Sequence, residues 1–452
     1  MNDLLHKNDK IILTIKRIGI NGEGIGYYKR QAVFVKGALP REEVEVKITS
    51  VEDKYSTGVV IKTNITASDR ISPICPYYNE CGGCHLQHLA YPSQLKAKKE
   101  LLIAAFQRYY DGNIDKIKFY DTVGMNNPWY YRNKSSLPTR HNGTNVVVGM
   151  YQEHSNHLVF IDQCIVENKI IYEVRKKVLE ALDKAFISVY NPKTQVGSLR
   201  YIVIRGFEET GETQVTFVLT KEDQKIIDVL KKLDVTSAYY SINNDLKTIE
   251  IFGPKLICVK GRETISGKLQ ELDFQISPNA FFQLNLEQTN NLYSEILRAA
   301  RLNGNEKIVD CYCGIGSIGI FLAKHVAEVR GIDINKEGIN DANNFAKLNN
   351  ITNAKFYHGN IIPYLYQFEH EGYIPDILII DPPRKGIEVN LIKYLQASKI
   401  KRLIYVSCNP STLAKNINHL QKEYSVKYVK PFDMFPQTAN VEAVCLLERR
   451  KI

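Results

Sequence analysis

A cysteine and a glutamate near the end of the chain could act as a nucleophile and a base. Cys408 lies in SCNP, after the apolar run RLIYV and before a helical pattern that begins near Ser411. Such a cysteine is often a buried hydrophobe, but helical N–H dipoles next to it can favour its thiolate. Glu442 is the only carboxylate of FPQTANVEAVCLLE before Glu448. Together they suit methyl transfer to uracil C5, in which sulfur adds to C6 and a base removes the C5 proton.

Glycines and acids upstream of Cys408 suit a nucleotide-like ligand. CGIGSIG follows the predicted strand KIVDC and places Gly314, Gly316 and Gly319 in a G-x-G-x-x-G pattern, which lets backbone approach a ligand closely. Asp333 ends the next predicted strand, where its carboxylate can accept hydrogen bonds from both ribose hydroxyls. Asp381 begins DPPR, a loop whose two prolines fix the backbone. These residues alone fit either a dinucleotide or S-adenosylmethionine.

Four other cysteines have the spacing of a metal or cluster site. Cys75, Cys81 and Cys84 lie in PICPYYNECGGCHLQH, and Cys164 in IDQCIVEN supplies a fourth thiolate. Four thiolates suit either a [4Fe–4S] cluster or structural zinc. Zinc sites usually combine two short C-x2–4-C pairs, whereas here three ligands cluster and one stands alone. The spacing therefore favours an iron–sulfur cluster, with no iron position left open for redox catalysis.

The C-terminal region is expected to bring the nucleophile and the acids to one edge of a sheet. From about residue 280, predicted strands such as KIVDC, VRGIDI, DILIID and RLIYVSC alternate with helical stretches. This alternation predicts a mainly parallel sheet with helices on both faces. Ligands of such sheets bind beyond the carboxyl ends of the strands, where Asp333, Asp381 and Cys408 fall. We therefore expect a Rossmann-like domain over residues 271–452.

Two further domains are predicted ahead of it, so the fold class is multidomain α/β. Residues 1–65 alternate short β-rich runs with glycine and proline turns, which predicts an OB-like β-barrel. Its aromatic residues Tyr27, Tyr28 and Phe34 stand among lysines and arginines, which suits single-stranded RNA as well as simple filling of the barrel. Residues 66–270 combine the cysteine loop, an amphipathic helix in YPSQLKAKKELLIAAFQRYY and mixed strands and helices, which predicts an α+β domain.

The composition argues against a disordered, a membrane-spanning or a disulfide-rich secreted protein. The 452 residues are 44% hydrophobic, enough for packed cores, and the net charge of +10 suits a surface that meets polyanions. No run approaches the roughly 18 apolar residues of a membrane helix, and MNDLLHKNDK lacks the apolar core of a signal peptide. Nine cysteines without an export signal argue against a disulfide scaffold. We expect a cytoplasmic protein with no membrane partner, and the sequence leaves its oligomeric state open. Four cysteines are expected only to pack in strands or loops: Cys258, Cys311, Cys313 and Cys445.

These motifs taken together resemble those of one enzyme family. CGIGSIG, DPPR, SCNP and FPQTANVE, with the N-terminal barrel and the four-cysteine set, are similar to the TRAM-domain 5-methyluridine RNA methyltransferases. The resemblance spans essentially the whole chain. It implies S-adenosylmethionine as methyl donor and uridine in RNA as substrate.

The resemblance also implies roles for individual residues. Cys408 would be the nucleophile and Glu442 the base. Four residues would contact the donor: Gln283 of NAFFQLN, Tyr312, Asp333 and Asp381. The four cysteines of the predicted cluster would bind [4Fe–4S]. The barrel and the cluster favour large-subunit (23S) ribosomal RNA as substrate, with transfer RNA as a rival within the family.

Two alternatives come from other functional classes. A non-catalytic iron–sulfur RNA-binding protein would share the barrel and the cysteines, but it would not need Cys408 or Glu442. A nucleotide-dependent oxidoreductase would use the glycine pattern and the cluster, but the sequence contains no flavin or hydride-partner motif. We therefore expect an RNA methyltransferase.

Overall fold

The computed structural model describes residues 5–245 and 247–450. Four sheets with six, seven, two and eight strands organise this part of the chain. No helix among these residues is long and apolar enough to cross a bilayer. The predicted multidomain α/β class is confirmed.

The first sheet is a six-stranded barrel in the order β1-β5-β6-β4-β3-β2. The two edge strands are β1, which pairs with β5, and β2, which pairs with β3. Because β1 and β2 follow one another in the chain, the two edges must lie close together, and the sheet closes into a barrel. Alternate residues fill the interior, including Val33, Val35, Val44 and Val46, which have no exposed surface. The six strands are Lys10–Thr14, Arg17–Ile18, Gly24–Tyr28, Gln31–Lys36, Glu43–Val51 and Tyr55–Ile65, numbered β1 to β6.

The barrel aromatics divide between surface and interior. Tyr27 is 49% exposed, whereas Tyr28 packs against the barrel core. Phe34 is half-buried and packs edge-to-face on Tyr55, with ring centroids 5.5 Å apart. Core filling therefore accounts for Tyr28 but not for Tyr27.

The second sheet has seven strands in the order β10-β9-β8-β11-β12-β13-β14, and helices cover one of its faces. Its strands are β8 to β14, which run Lys134–His141, Val146–Tyr151, Leu158–Phe160, Leu199–Phe207, Glu212–Leu219, Ser237–Ile242 and Leu256–Gly261. The helices α2, Lys169–Lys184, and α3, Gln224–Lys232, pack on it through Val178 and Leu230. The other face carries several polar side chains and looks towards the C-terminal part of the molecule.

The third sheet is the hairpin of β15, Ile265–Leu269, and β16, Leu272–Ile276, which packs into a core of the fourth sheet. The fourth sheet has the order β19-β18-β17-β20-β21-β23-β22-β7. Its first five strands are parallel, while β23 runs antiparallel to both of its neighbours. The strands are β7 Lys118–Phe119, β17 Lys307–Cys311, β18 Glu328–Asp333, β19 Ala354–His358, β20 Ile377–Ile380, β21 Arg402–Ser407, β22 Tyr424–Phe432 and β23 Glu442–Arg449.

Helices cover both faces of this sheet, as the strand and helix alternation predicts. One face packs against α4, α5 and α6, and the other against α1, α7, α8 and α9. The helices are α1 Tyr91–Tyr109, α4 Leu286–Ala300, α5 Ser317–Ala323, α6 Lys336–Leu348, α7 Ile361–His370, α8 Val389–Ala397 and α9 Pro410–Leu420. A short 3-10 helix, Ile114–Lys116, precedes β7.

The predicted helix α1 is present, but it belongs to the covering of the C-terminal sheet. Leu102 and Phe106 are fully buried in the same core as Ile417 and Leu420 of α9. Strand β7 follows α1 and pairs with β22 at the sheet edge. Both elements come from residues 66–270, so the division of the chain at 65 and 270 stays a prediction.

Candidate active site

The carboxyl ends of the parallel strands gather the predicted site residues at one edge of the sheet. Cys311 pairs with Ile380, and Ile380 pairs with Tyr405 on the next strand. The residues that follow these strands, among them Tyr312 and Asp381, therefore lie side by side. The backbone N–H of Asp381 donates to the carbonyl of Cys311 at 3.4 Å and so holds the two strand ends together.

The glycine loop is shaped for a ligand that approaches backbone. Gly314 and Gly316 have φ angles of +54° and +72°, a region that side chains disfavour. A Cβ on Gly314 would point into open space, whereas one on Gly316 would lie 2.5 Å from the Phe356 ring. Asp310 fixes the loop from below, because its Oδ2 accepts from the Gly319 N–H at 3.0 Å. The open side of Gly314 is thus available to a cofactor.

Asp333 faces this glycine loop. Its Oδ2 accepts from the Gly314 N–H at 2.9 Å, and its Oδ1 accepts from the Asn335 N–H at 2.7 Å. A carboxylate offers about four lone-pair positions, so two remain for ribose hydroxyls. The half-buried position of Asp333 fits the expected contact with a nucleoside.

Asp310 and Tyr293 were missed as site residues. Asp310 is fully buried, and its Oδ1 has no hydrogen-bond partner in the described part of the chain. Burial together with the charges of Asp381 and Asp333 raises the pKa of Asp310 to about 8. Tyr293 of α4 shares a 2.6 Å hydrogen bond with Ser317 at the start of α5. The sequence does mark Asp310, because it is the one acidic residue in the otherwise apolar strand KIVDC. Nothing local to Tyr293 indicates its position.

Gln283 lies between β16 and α4, 9% exposed. Its backbone carbonyl accepts from Asn133 Nδ2 at 3.0 Å, and the Leu284 carbonyl accepts from the Asn133 N–H at the same distance. The segment is thereby fastened to the second sheet. Within the described residues, no hydrogen bond joins the Gln283 side chain to the glycine loop or to Asp333.

The strand register brings Cys408 and Glu442 together. Ser407 of β21 pairs with Ala443 of antiparallel β23, so the next position along each strand sets Cys408 opposite Glu442. Cys408 is half-buried and therefore not sealed within hydrocarbon, whereas Glu442 is only 4% exposed. The two predicted catalytic residues, separated by 33 intervening residues in the chain, thus meet at the site edge.

A backbone N–H group at Cys408 favours the thiolate, as expected, but burial and neighbouring acids outweigh it in the free protein. Burial first, and then the negative charges of Glu442 and Asp381, raise the pKa of Cys408 to about 11. The first donors of α9 are already taken, because Asn409 Oδ1 accepts from the N–H groups of Ser411 and Thr412 at 3.1 and 3.3 Å. Burial and the charge of Asp381 likewise raise the pKa of Glu442. Cys408 therefore holds its proton at neutral pH, and Glu442 binds its proton more tightly than an exposed glutamate does.

The DPPR loop is fastened to the cysteine loop. The Arg384 carbonyl accepts from Asn409 Nδ2 and from Thr412 Oγ1, each at 3.2 Å. The positive charge of Arg384 lowers the pKa values of both Cys408 and Glu442, against the larger effect of burial. Arg384 itself is exposed, which leaves its charge open to a substrate.

The loop that leads into Glu442, residues 433–441 and here called the base loop, is held by the N-terminal half of the chain. Asp433 forms a fully buried ion pair with Lys98 and accepts from the Tyr91 hydroxyl at 2.7 Å. The Gln437 carbonyl accepts from the N–H groups of His85 and Leu86 at 2.9 and 3.0 Å. These two residues directly follow Cys84, so the cysteine loop and the base loop touch.

The four predicted ligand cysteines line one cavity of about 80 Å³. All four thiols are free. In the described part of the chain, no set of three or more cysteine, histidine, aspartate or glutamate side chains is arranged to hold a single metal ion. The cysteines therefore converge on one place but do not form a compact site for one ion. Three of the four other cysteines are buried packing residues: Cys311, Cys313 and Cys445.

Comparison with known proteins gives a consistent picture. A family model described as tRNA (Uracil-5-)-methyltransferase matches residues 90–360 and 363–450, and a TRAM domain model matches residues 8–61. An uncharacterized RNA methyltransferase from Bacillus cereus is 44% identical over 443 residues, covering 97% of this chain and 96% of its own. One from Halalkalibacterium halodurans is 43% identical over 452 residues, covering 99% and 98%.

A solved structure matches over nearly the whole length. It is the Pyrococcus abyssi tRNA (uracil-54, C5)-methyltransferase in complex with S-adenosyl-L-homocysteine. The TM-score is 0.75 at 28% sequence identity, and the match covers 97% of this chain and 100% of that chain. The similarity therefore extends through the barrel, the second sheet and the C-terminal sheet.

Proposed function

This chain belongs to the tRNA (uracil-5-)-methyltransferase family and carries a TRAM domain, and on that premise we propose that Cys408 and Glu442 carry out its chemistry on a uridine in RNA. The protein is an S-adenosylmethionine-dependent RNA uracil methyltransferase. The strand register that sets Cys408 opposite Glu442 is the observation that carries the proposal.

Cys408 makes the uracil ring reactive by adding its sulfur to C6, which gives C5 the character of a carbanion. S-adenosylmethionine, when bound, would supply an electrophilic methyl group on a sulfonium, and transfer of that methyl group to C5 would leave S-adenosylhomocysteine as a neutral thioether. Glu442 removes the C5 proton once C5 carries the methyl group, and the electrons of that C–H bond expel the Cys408 sulfur from C6. The sulfur leaves as a thiolate, and a proton, equivalent to the one that Glu442 took from C5, restores the thiol.

The raised pKa of each group suits an enzyme at rest. Cys408 must lose its proton before addition, and Glu442 must be ionised before it can act as a base. Arg384 stands where its charge favours both ionised forms.

The methyl donor would lie along the glycine loop. Asp333 would accept from the ribose hydroxyls, while Tyr312, Asp381 and Gln283 would complete the contacts. Tyr312 is strained, with a φ of +62° that a non-glycine residue rarely adopts. Such strain is typical of residues held in place for function.

Ribosomal RNA, and within it the 23S molecule, is the substrate we propose first. This order follows the family resemblance of the barrel together with the four-cysteine set, and the barrel alone does not distinguish the two RNAs, because the match to a transfer RNA methyltransferase also covers it. Transfer RNA is the second candidate, and it is favoured by the transfer RNA substrate of the Pyrococcus abyssi relative. Sequencing of 5-methyluridine in ribosomal and transfer RNA from cells with and without the gene separates the two.

We also propose that the four cysteines bind a [4Fe–4S] cluster. Three of these cysteines cluster in the sequence and one stands apart, unlike the two short C-x2–4-C pairs that are usual for zinc. The shared cavity supports a larger group held by all four thiolates. Protein reconstituted with iron and sulfide should contain iron and absorb broadly near the border of the visible and ultraviolet. Zinc alone would contradict the assignment.

Two substitutions test the chemistry. Cys408→Ala should abolish methyl transfer while RNA binding survives, with Cys258→Ala as a matched control on β14. Glu442→Gln should methylate once and then remain covalently joined to RNA, a species visible on denaturing gels, with Glu448→Gln on the same strand as control. Normal turnover by either variant overturns the corresponding role.

A further inference from the structure

Two cations face each other across neighbouring strands of the second sheet. Lys134 of β8 pairs directly with Arg205 of β11. Both point away from α2 and α3, because side chains alternate and Leu137 and Ile204 occupy the helix-covered face. Like charges directly opposite each other destabilise a sheet. The folded protein therefore carries an electrostatic cost at this position.

Arg205 is incompletely bonded. It is 3% exposed, its Nη2 donates to the Ala280 carbonyl at 2.9 Å, and its buried Nη1 has no hydrogen-bond partner among the residues that the structure describes. Asp341 is the acid whose charge reaches Arg205, but its two oxygens accept from the N–H and hydroxyl of Ser277 at 3.1 and 2.7 Å. The guanidinium is thus buried with hydrogen-bonding capacity to spare.

Lys134 is also without an ion-pair partner among the described residues. Its Nζ lies 5.4 Å from the centre of the Phe252 ring, and the side chain is half-buried. Burial, followed by the positive charges of Arg205 and Arg132, lowers the pKa of Lys134 to about 7. Two arginines therefore meet a lysine that is only partly protonated at neutral pH, and an anionic ligand would relieve the local deficit of negative charge and favour the protonated lysine.

This pair lies where the second sheet meets the Gln283 segment. The Asn133 carbonyl accepts from the Gly206 N–H at 3.0 Å, and Asn133 Nδ2 donates to the Gln283 carbonyl. Asn133 and Gly206 are the chain neighbours of Lys134 and Arg205. An anion bound by the pair would consequently sit beside the segment that we propose contacts the methyl donor.

We propose that Lys134, backed by Arg205, binds a backbone phosphate of the substrate RNA close to the target uridine. This inference rests on the proposed function, because it takes the ligand to be RNA. A phosphate supplies the missing negative charge and the acceptor oxygens that a guanidinium and an ammonium require. The contact carries no base information, so it positions the RNA rather than selecting its sequence.

The test is the salt dependence of RNA binding by Lys134→Gln. Loss of one phosphate contact should reduce the slope of log affinity against log salt by about 1. The advantage of the wild type over the variant should therefore shrink about fourfold between 50 and 200 mM salt. Lys231→Gln, on α3 and across the same sheet, should keep the wild-type slope. Lys134→Arg should also keep it, because the charge remains.

The slope measured with Lys134→Gln decides whether the phosphate contact exists. An unchanged slope in folded Lys134→Gln overturns it, and so does an equal change in Lys231→Gln. If Lys134→Gln unfolds, Lys134→Met replaces it, judged by the same slope. Binding is measured in a Cys408→Ala background without methyl transfer, so a failed phosphate contact leaves the proposed chemistry untouched. Conversely, the wild type could fail to methylate uridine while Lys134→Gln still reduces the slope of log affinity against log salt. That result would support the phosphate contact and overturn the proposed function.

Discussion

Gln94 and Gln437 hold each other through two hydrogen bonds. Gln94 Nε2 donates to Gln437 Oε1 at 3.0 Å, and the Gln437 N–H donates to Gln94 Oε1 at 3.1 Å. Gln437 adopts a left-handed φ of +69° at this point. Helix α1 thereby fixes the base loop five residues before Glu442.

Gln94→Ala should therefore slow the last chemical step more than it weakens RNA binding. A displacement of about 1 Å at a reacting group can cost about a hundredfold in rate, so turnover should fall between tenfold and a hundredfold. Covalent RNA–protein adduct should accumulate, as in Glu442→Gln. Gln396→Ala, which removes an exposed glutamine bond on α8, should turn over normally. Slow turnover without adduct would show that Gln94 acts only on stability.

The reactivity of Cys408 should follow the alkaline pKa of its thiol. Because burial and neighbouring carboxylates raise that pKa to about 11, the thiolate fraction rises about tenfold per pH unit between pH 7 and 10. Alkylation of Cys408 by iodoacetamide, followed by peptide mass spectrometry, should show this rise in the free protein.

Glu442→Gln should shift that alkylation profile to lower pH, since it removes a negative charge that opposes the thiolate. Glu448→Gln should leave the profile unchanged. A Cys408 that reacts equally fast at pH 7 and pH 9 would contradict the raised pKa.

Asp333→Ala should weaken binding of S-adenosylmethionine. The substitution removes the acceptor for the Gly314 N–H and the proposed ribose contacts, and bonds to a charged group contribute about 1.5–3 kcal/mol each. Calorimetry should show affinity reduced at least about tenfold with RNA binding retained. Asp376→Ala, just before β20 at the opposite edge of the sheet, serves as the control, and equal donor affinity in both variants would refute the role.

Lys98→Ala should strongly destabilise the protein, because it leaves Asp433 buried without its counter-charge. Breaking one partner of a buried pair costs about 3–5 kcal/mol. Lys99→Ala removes a pair with exposed Asp121 and should leave the unfolding midpoint close to that of the wild type, because water screens exposed pairs. Urea unfolding measures both, and equal midpoints would contradict the ion pair. Lys98→Met with Asp433→Leu should recover part of the loss.

The strand and helix alternation of the C-terminal region and the motifs at its strand ends could be predicted from sequence, because apolar runs and turns are local signals. The position of Cys408 after β21 and that of Glu442 at the start of β23 follow from the same pattern. Their pairing needs only that β21 and β23 be neighbours. The pKa of Cys408 was harder, since burial and the Asn409 cap depend on the complete fold.

Buried polar residues of α1 could not be predicted. Gln94 and Lys98 interrupt an apolar helix face and look like surface positions in the sequence. Their partners Gln437 and Asp433 lie more than 330 residues later. The cross-strand pair of Lys134 and Arg205 likewise depends on register between strands separated by two other strands and a helix. Periodicity carries no information about such distant contacts.

The seating of α1 and β7 on the C-terminal sheet imposes an order on biosynthesis. Leu102 and Phe106 leave the ribosome long before α9 and β22 exist to receive them. The apolar face of α1 must therefore stay exposed while roughly 300 further residues are translated. During that delay, aggregation competes with folding. The core around α1 can close only after α9 and β22 have been synthesised. A chain truncated before α9 would lack both Glu442 and the helix that covers α1.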